Sequence, residues 1–259
     1  TQSRGLGDVY KRQGLVDARP LYSADETRAW VPAERRETLA HSFFDVLAEL
    51  HSLDPDEIGL GELGRKDNYV GRQLNTWYRS WTASMEAAQL DDPRAHELQR
   101  YFLENMPEQG KARVVHGDYG LHNCLIGADS AVAAVVDWEI STLGDPLADL
   151  AYALNPWPQP GDEVPTDPDA ATGAGRFPPR LELALRYAAR TGCKLDKLDY
   201  YVGFNGWKSA AILHGVYARY RQGNKSAAGA DLDAMVERIS GSLDFAERAV
   251  NRLEKGASA

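Results

Sequence analysis

Apolar positions along the chain return with two different periods. Across 32–53, Leu39, Phe43, Val46, Leu47 and Leu50 recur every three or four residues, the spacing of one helix face, and Pro32 suits a first turn. The Asp54-Pro55 step and the Gly59-x-Gly61-x-x-Gly64 run break that pattern. Two further helices are predicted. One is capped by Asp67 with Val70, Leu74, Trp77 and Trp81 as its inward stripe, and one is opened by Asp92-Pro93 with Leu98, Tyr101 and Phe102 turned inward. The period then shortens. Val114-Val115 runs into a polar loop, a short strand leads to a turn at Gly127-Ala128-Asp129-Ser130, and the apolar run from Ala131 to Val136 delivers Asp137 at its end. Helical spacing resumes at Asp145-Pro146 with Leu147, Leu150 and Leu154 on one side, and Asp149 is expected to bind the backbone of the preceding loop. The stretch 155–179 is rich in Pro, Gly and Asp and has no period, which predicts a long loop able to cover an acceptor site. Helices over roughly 179–191, 198–222 and 231–253 complete the pattern. In the second of these, Trp207, Leu213, Val216, Tyr217 and Tyr220 read as helix core in preference to a pocket wall. The prediction is an α+β fold, mainly α, with one small β-hairpin.

Composition narrows the function classes. With 259 residues and 43% hydrophobic positions the chain can bury a sizeable core. A net charge of −9 without a Lys/Arg cluster argues against nucleic acid or an anionic membrane as partner, and it suits a cationic substrate as well as an ordinary cytosolic surface. Cys124 and Cys193 stand far apart with no companions at metal-ligand spacing, so neither a disulfide framework nor a zinc site is indicated. No apolar run reaches membrane-spanning length and no signal-peptide pattern is visible, so a cytoplasmic location is expected. The Gly59–Gly64 run has no strand before it and reads as a loop without chemistry.

The residues that carry chemistry lie around the hairpin: His116-Gly117-Asp118-Tyr119-Gly120-Leu121-His122-Asn123, then Val136-Asp137-Trp138-Glu139. Moving the γ-phosphoryl of ATP to a hydroxyl needs a group to accept the hydroxyl proton and Mg²⁺ to neutralise the phosphate oxygens. Asp118 suits the first task. Hard Mg²⁺ keeps several waters, so one carboxylate and one amide oxygen, from Asp137 and Asn123, are a sufficient protein share of its shell. His116 stands with Asp118 as a catalytic candidate, although hydrogen bonding to the loop backbone is its preferred role.

His-Gly-Asp-x-x-x-x-Asn followed by Val-Asp-Trp-Glu resembles the catalytic core of the aminoglycoside phosphotransferase and choline kinase family of small-molecule kinases, the counterpart of the protein-kinase catalytic loop and its magnesium Asp. The likeness continues through Ser141 to Ala151. It implies a protein-kinase-like C-terminal helical lobe using ATP and Mg²⁺ on a small-molecule hydroxyl substrate, with Asp118 as base and Asn123 and Asp137 as metal and nucleotide ligands. Glu139, where protein kinases have Gly, would help hold metal-bound water. The stretch from Trp207 to Tyr220 resembles a branch that includes acyl-CoA-dehydrogenase-associated kinase domains, which tilts the reading away from antibiotic resistance. Residues 1–13 resemble adaptor-derived sequence, leaving 14–259 as the kinase-like lobe without the upstream nucleotide-covering lobe. On that expectation the chain alone transfers little phosphate and exposes an apolar patch near Leu15 to Leu21. Two alternatives remain open: a non-catalytic kinase-like module that binds a ligand or partner, and a two-metal phosphoesterase. The latter would need more His and Asp motifs than a chain with six His supplies.

Overall fold

The computed structural model describes residues 16–162, 167–223 and 231–257, so the expectation for 1–13 lies outside the described residues. The elements in order are β1 (Ala18–Arg19), α1 (Ala24–Trp30), α2 (Arg36–Ser52), α3 (Tyr69–Ala88), α4 (Pro93–Glu104), β2 (Arg113–Val115), β3 (Cys124–Gly127), β4 (Val132–Val135), β5 (Thr142–Gly144), α5 (Pro146–Leu154), α6 (Arg180–Thr191), α7 (Leu198–Arg221) and α8 (Leu232–Ala257). The strands form two antiparallel sheets, β1-β3-β4 and β2-β5. This is the mainly helical α+β architecture expected, with the hairpin turning where Ser130 N donates to Gly127 O at 2.9 Å.

The helices divide the apolar residues between two cores. One gathers α3, α4, α7 and α8 around Leu74, Trp81, Phe102, Phe204 and Trp207. The other gathers α2, α6 and the hairpin around Phe43, Phe44, Leu47, Tyr119 and Trp157. α5 belongs to both: Ala148 and Ala151 enter the first core, and Leu150, Ala153 and Leu154 the second. α7 and α8 approach closely because position 206 is Gly. A Cβ there would stand 2.9 Å from Phe245 Cδ1 and 3.0 Å from the Ser242 carbonyl oxygen.

Several local expectations change. α1 was not predicted, and it rests on a capping box in which Ser23 Oγ accepts from Glu26 N while Glu26 accepts from the Ser23 amide. Asp67 does not cap α3; it pairs with Arg65 at 3.3 Å. The first amide of that helix, Tyr69 N, is instead satisfied by Gln109 Oε1 at 2.7 Å. Leu21 is only 1% exposed and donates its amide to Leu121 O at 3.2 Å, so the end of the expected 15–21 patch is built into the fold, while Leu15 lies outside the described residues. Val16, 37% exposed, is apolar surface within the expected stretch, and Trp138 and Ile140, 42% and 61% exposed, add apolar surface beside the loop. The long loop after α5 is also tied down where it is described. Ala24 N donates to Asp169 O at 3.0 Å, Arg36 Nη1 donates to Ala174 O at 2.7 Å, and Trp157 is buried.

Candidate active site

The loop between β2 and β3 has its shape imposed by α5. Asp145 caps that helix, its Oδ1 accepting from Leu147 N at 3.1 Å, with Pro146 in the first turn. One turn along, the Asp149 carboxylate accepts from His116 N at 2.6 Å and Gly117 N at 2.8 Å. His51 Nε2 stands 3.4 Å away on α2, and its Nδ1 lies 2.7 Å from Tyr187 Oη. Burial pushes the Asp149 carboxyl up, but these hydrogen bonds and the His51 charge bring it below its ordinary value. Gly117 turns the loop at φ +86, and a Cβ there would meet Ile140 Cδ1 at 3.2 Å. Tyr119 then anchors the loop in the second core by donating to Phe43 O at 2.9 Å.

His116 is fully buried. Its Nε2 lies 2.9 Å from Val136 O, and its Nδ1 accepts from Asp118 N at 3.3 Å, so both ring nitrogens are used by backbone. Trp138 packs against it with ring centroids 4.8 Å apart. The ring therefore braces the loop against the corner that carries Asp137.

Asp118 is half-exposed, with three donors on its two oxygens. Tyr152 Oη, from α5, donates to Oδ1 in a short hydrogen bond. His122 Nε2 donates to Oδ2 at 3.3 Å and Asn123 Nδ2 at 3.1 Å. Burial raises the Asp118 carboxyl, yet the bonds from His122, Tyr152 and Asn123 and the His122 charge together hold it below its ordinary range. The bond to Asp118 in turn raises His122, against an opposing burial cost and with help from the charges of Asp118 and Asp137. Sequence spacing alone did not single out Tyr152 or His122 as Asp118 partners. The available signal was that Tyr152 lies three residues beyond Asp149 on one helix, and His122 four beyond Asp118.

Asn123 and Asp137 are brought together by the sheet. Cys124 faces Val135 in the ladder, and Val136 N donates to Asn123 O at 2.9 Å, so Asp137 follows directly beside Asn123. Asn123 Nδ2 is committed to the backbone oxygen and carboxylate of Asp118. That fixes the amide orientation, and Oδ1 makes no hydrogen bond among the described residues in a side chain only 6% exposed. Asp137 is exposed on a left-handed corner, φ 65 and ψ 53, a conformation Asp tolerates better than most side chains. Glu139 lies on the exposed turn that follows. Among the described residues no three His, Cys, Asp or Glu side chains gather as a metal cage. One amide oxygen and one carboxylate are a donor set for Mg²⁺, which fills the rest of its octahedron from water and phosphate, and would be a poor one for zinc.

The family model described as phosphotransferase enzyme family matches residues 3–186. Among curated proteins, the chain is 36% identical over 203 residues to acyl-CoA dehydrogenase family member 11 of Gallus gallus, covering 76% of this chain and 26% of that protein. It is 33% identical over 223 residues to acyl-CoA dehydrogenase family member 10 of Mus musculus, covering 83% and 20%. The chain thus spans about a quarter of the length of the curated relatives it matches. Among solved structures, an aminoglycoside phosphotransferase candidate from Ralstonia eutropha superposes with a TM-score of 0.76 at 26% identity, over 92% of this chain and 71% of that one. Choline kinase from Cryptosporidium parvum does so at 0.53 and 11% identity, over 92% and 70%, which is a likeness of fold.

Proposed function

The chain belongs to the phosphotransferase enzyme family, and from that membership we propose that it moves the γ-phosphoryl group of ATP, with Mg²⁺, to a hydroxyl of a small molecule. The observation that carries this reading is the Asp118 carboxylate, held by Tyr152, His122 and Asn123, with Asn123 next to the strand end that carries the exposed Asp137. Asp118 would orient the acceptor hydroxyl and take its proton. A carboxylate held below its ordinary range is a weak base, so the proton moves late, as the new P–O bond forms; a loose phosphoryl-transfer transition state asks for no more. Tyr152 and His122 fix the carboxylate, and His116 and Asp149 fix the loop that presents it, which makes His116 a positioning residue in this scheme. Asn123 Oδ1 and Asp137 would hold Mg²⁺, with Glu139 ordering its water; the ion supplies charge neutralisation on the phosphate oxygens.

The acceptor is proposed to be a metabolite and not an antibiotic, because the matched curated proteins carry acyl-CoA dehydrogenase names. Among the described residues no helix is long and apolar enough to cross a membrane. The test is Mg²⁺-dependent transfer of label from γ-labelled ATP to a panel of hydroxyl compounds. Metal-dependent labelling that disappears in Asp118→Asn is the expected result. Binding of Mg-ATP with no transfer to any acceptor would replace this reading with that of a non-catalytic module.

A further inference from the structure

α5 and α7 lie side by side, and their contacts advance along both helices in the same direction. Tyr201 Oη donates to Asp145 Oδ2 at 2.7 Å, and four residues later Asn205 Nδ2 donates to Ala148 O at 2.8 Å. Each step covers about one helical turn on each element. The following turn sets Lys208, three residues beyond Asn205, alongside Tyr152, four beyond Ala148. Tyr152 is the residue that donates to Asp118 Oδ1, whereas Asn123 and His122 occupy Oδ2. Continued by that turn, the progression puts Lys208 on the Oδ1 side of Asp118, opposite the oxygen that His122 and Asn123 occupy.

Lys208 is half-buried and makes no hydrogen bond or ion pair among the described residues. Most of the residue is enclosed by protein, and only part of it reaches solvent. Burial lowers the Lys208 ammonium below its usual range, while the charges of Asp149 and Asp118 act the other way. A cation enclosed by protein without a hydrogen bond or ion pair among the described residues is costly.

We propose that Lys208 is the acceptor-recognition residue, its ammonium binding an anionic oxygen, carboxylate or phosphate, of the hydroxyl compound whose proton Asp118 takes. This rests on the kinase reading and narrows its substrate class. Lysine offers a compact charge on a flexible stem, suited to substrates whose anionic group lies a few bonds from the hydroxyl. A cationic acceptor would meet the same ammonium at close range, so the site discriminates by repulsion as well as attraction. The overall charge of −9 does not oppose this, because the local group at short range outweighs a screened field.

The experiment has two arms. In the first, the protein without nucleotide is reductively methylated with ¹³C and titrated with glycerate, hydroxyhexanoate, glycerol phosphate, glycerol and ethanolamine. The lysine resonance missing from Lys208→Met should shift saturably with a carboxylate or the phosphate, whichever the site prefers, and stay still with glycerol and ethanolamine. In the second, Mg-ATP-dependent transfer to the same compounds is measured. Lys208→Met should raise the acceptor KM about tenfold or more, equivalent to about 1.4 kcal/mol, with kcat and the Mg-ATP KM within about twofold; Lys208→Arg should recover part of the loss. A resonance indifferent to every anion, or a Lys208→Met variant that lowers kcat with KM unchanged, overturns the proposal. Equal transfer to ethanolamine by wild type and Lys208→Met overturns it while leaving the kinase reading intact. A saturable anion shift without transfer to any acceptor supports the site and sinks the kinase reading instead.

Discussion

Replacing Asp149 by Ala should cost the protein stability before it costs it anything else. The carboxylate is 3% exposed and accepts two backbone amides, from His116 and Gly117. Removing it strands both donors in the interior, at about 1–3 kcal/mol each, and breaks the contact to His51. With a water partly filling the hole, about 3 kcal/mol is a reasonable net figure. That is a large share of the roughly 5–15 kcal/mol of a typical domain, but it leaves a folded protein. For a chain of this size it corresponds to a melting temperature lower by roughly 6–12 °C, measured by scanning calorimetry near neutral pH. The sign with pH follows from the direction of the shift. Asp149 is held below its ordinary 3.8 in the folded state, so its contribution is complete above that value and is lost as pH falls through the lower, folded one. The gap between wild type and Asp149→Ala should therefore be constant across neutral pH and close in acid. A variant melting within about 1 °C of wild type, or a gap that ignores pH, would refute the account of Asp149 as the anchor of the loop.

Asp118→Asn should leave Mg-ATP binding within about twofold and lower kcat by roughly 10²–10⁴-fold, read by calorimetric titration beside a transfer assay; normal turnover would remove the base assignment. Asp137→Ala and Asp137→Gly should both weaken Mg-ATP binding, but only Gly should spare the melting temperature, because φ 65 suits it; unchanged nucleotide affinity in both would break the metal assignment. Nuclear magnetic resonance should find His122 titrating above its ordinary 6.5, returning toward it in Asp118→Asn. The His122–Asp118 pair then holds fully below that ordinary value and is lost as pH rises through the raised one. Gly206→Ala should lower the urea midpoint by an amount worth about 1–3 kcal/mol, because the new methyl meets the Ser242 carbonyl at 3.0 Å and backbone cannot step aside.

What could be read from the chain and what could not divide along distance. α2, α4, α5, α6, α7 and α8 follow from apolar spacing within each segment, and the Asp118, Asn123 and Asp137 grouping follows from a loop and a hairpin contiguous in sequence. α1 has seven residues, too few for a period to declare itself, and only its capping box announced it. The start of α3 depends on Gln109, forty residues away, so no local rule could have replaced Asp67 with the right partner. Tyr152 and Lys208 reach the site through the packing of α5 on the loop and on α7, a relation between helices that neither sequence segment encodes by itself.

α5 supplies Tyr152 and Asp149 to the site and side chains to both cores, and six of its nine positions are buried. A helix so confined has no sub-global opening of its own: its amides can exchange with solvent only when one core or the other comes apart. The catalytic loop inherits that confinement through two hydrogen bonds. Substitutions anywhere along α2 or α8 are then heard at Asp118 as small displacements of one helix, and their effects on turnover should be epistatic across the two cores. Adaptation to a new acceptor has a route through the interior of the protein as well as through the rim of the cleft.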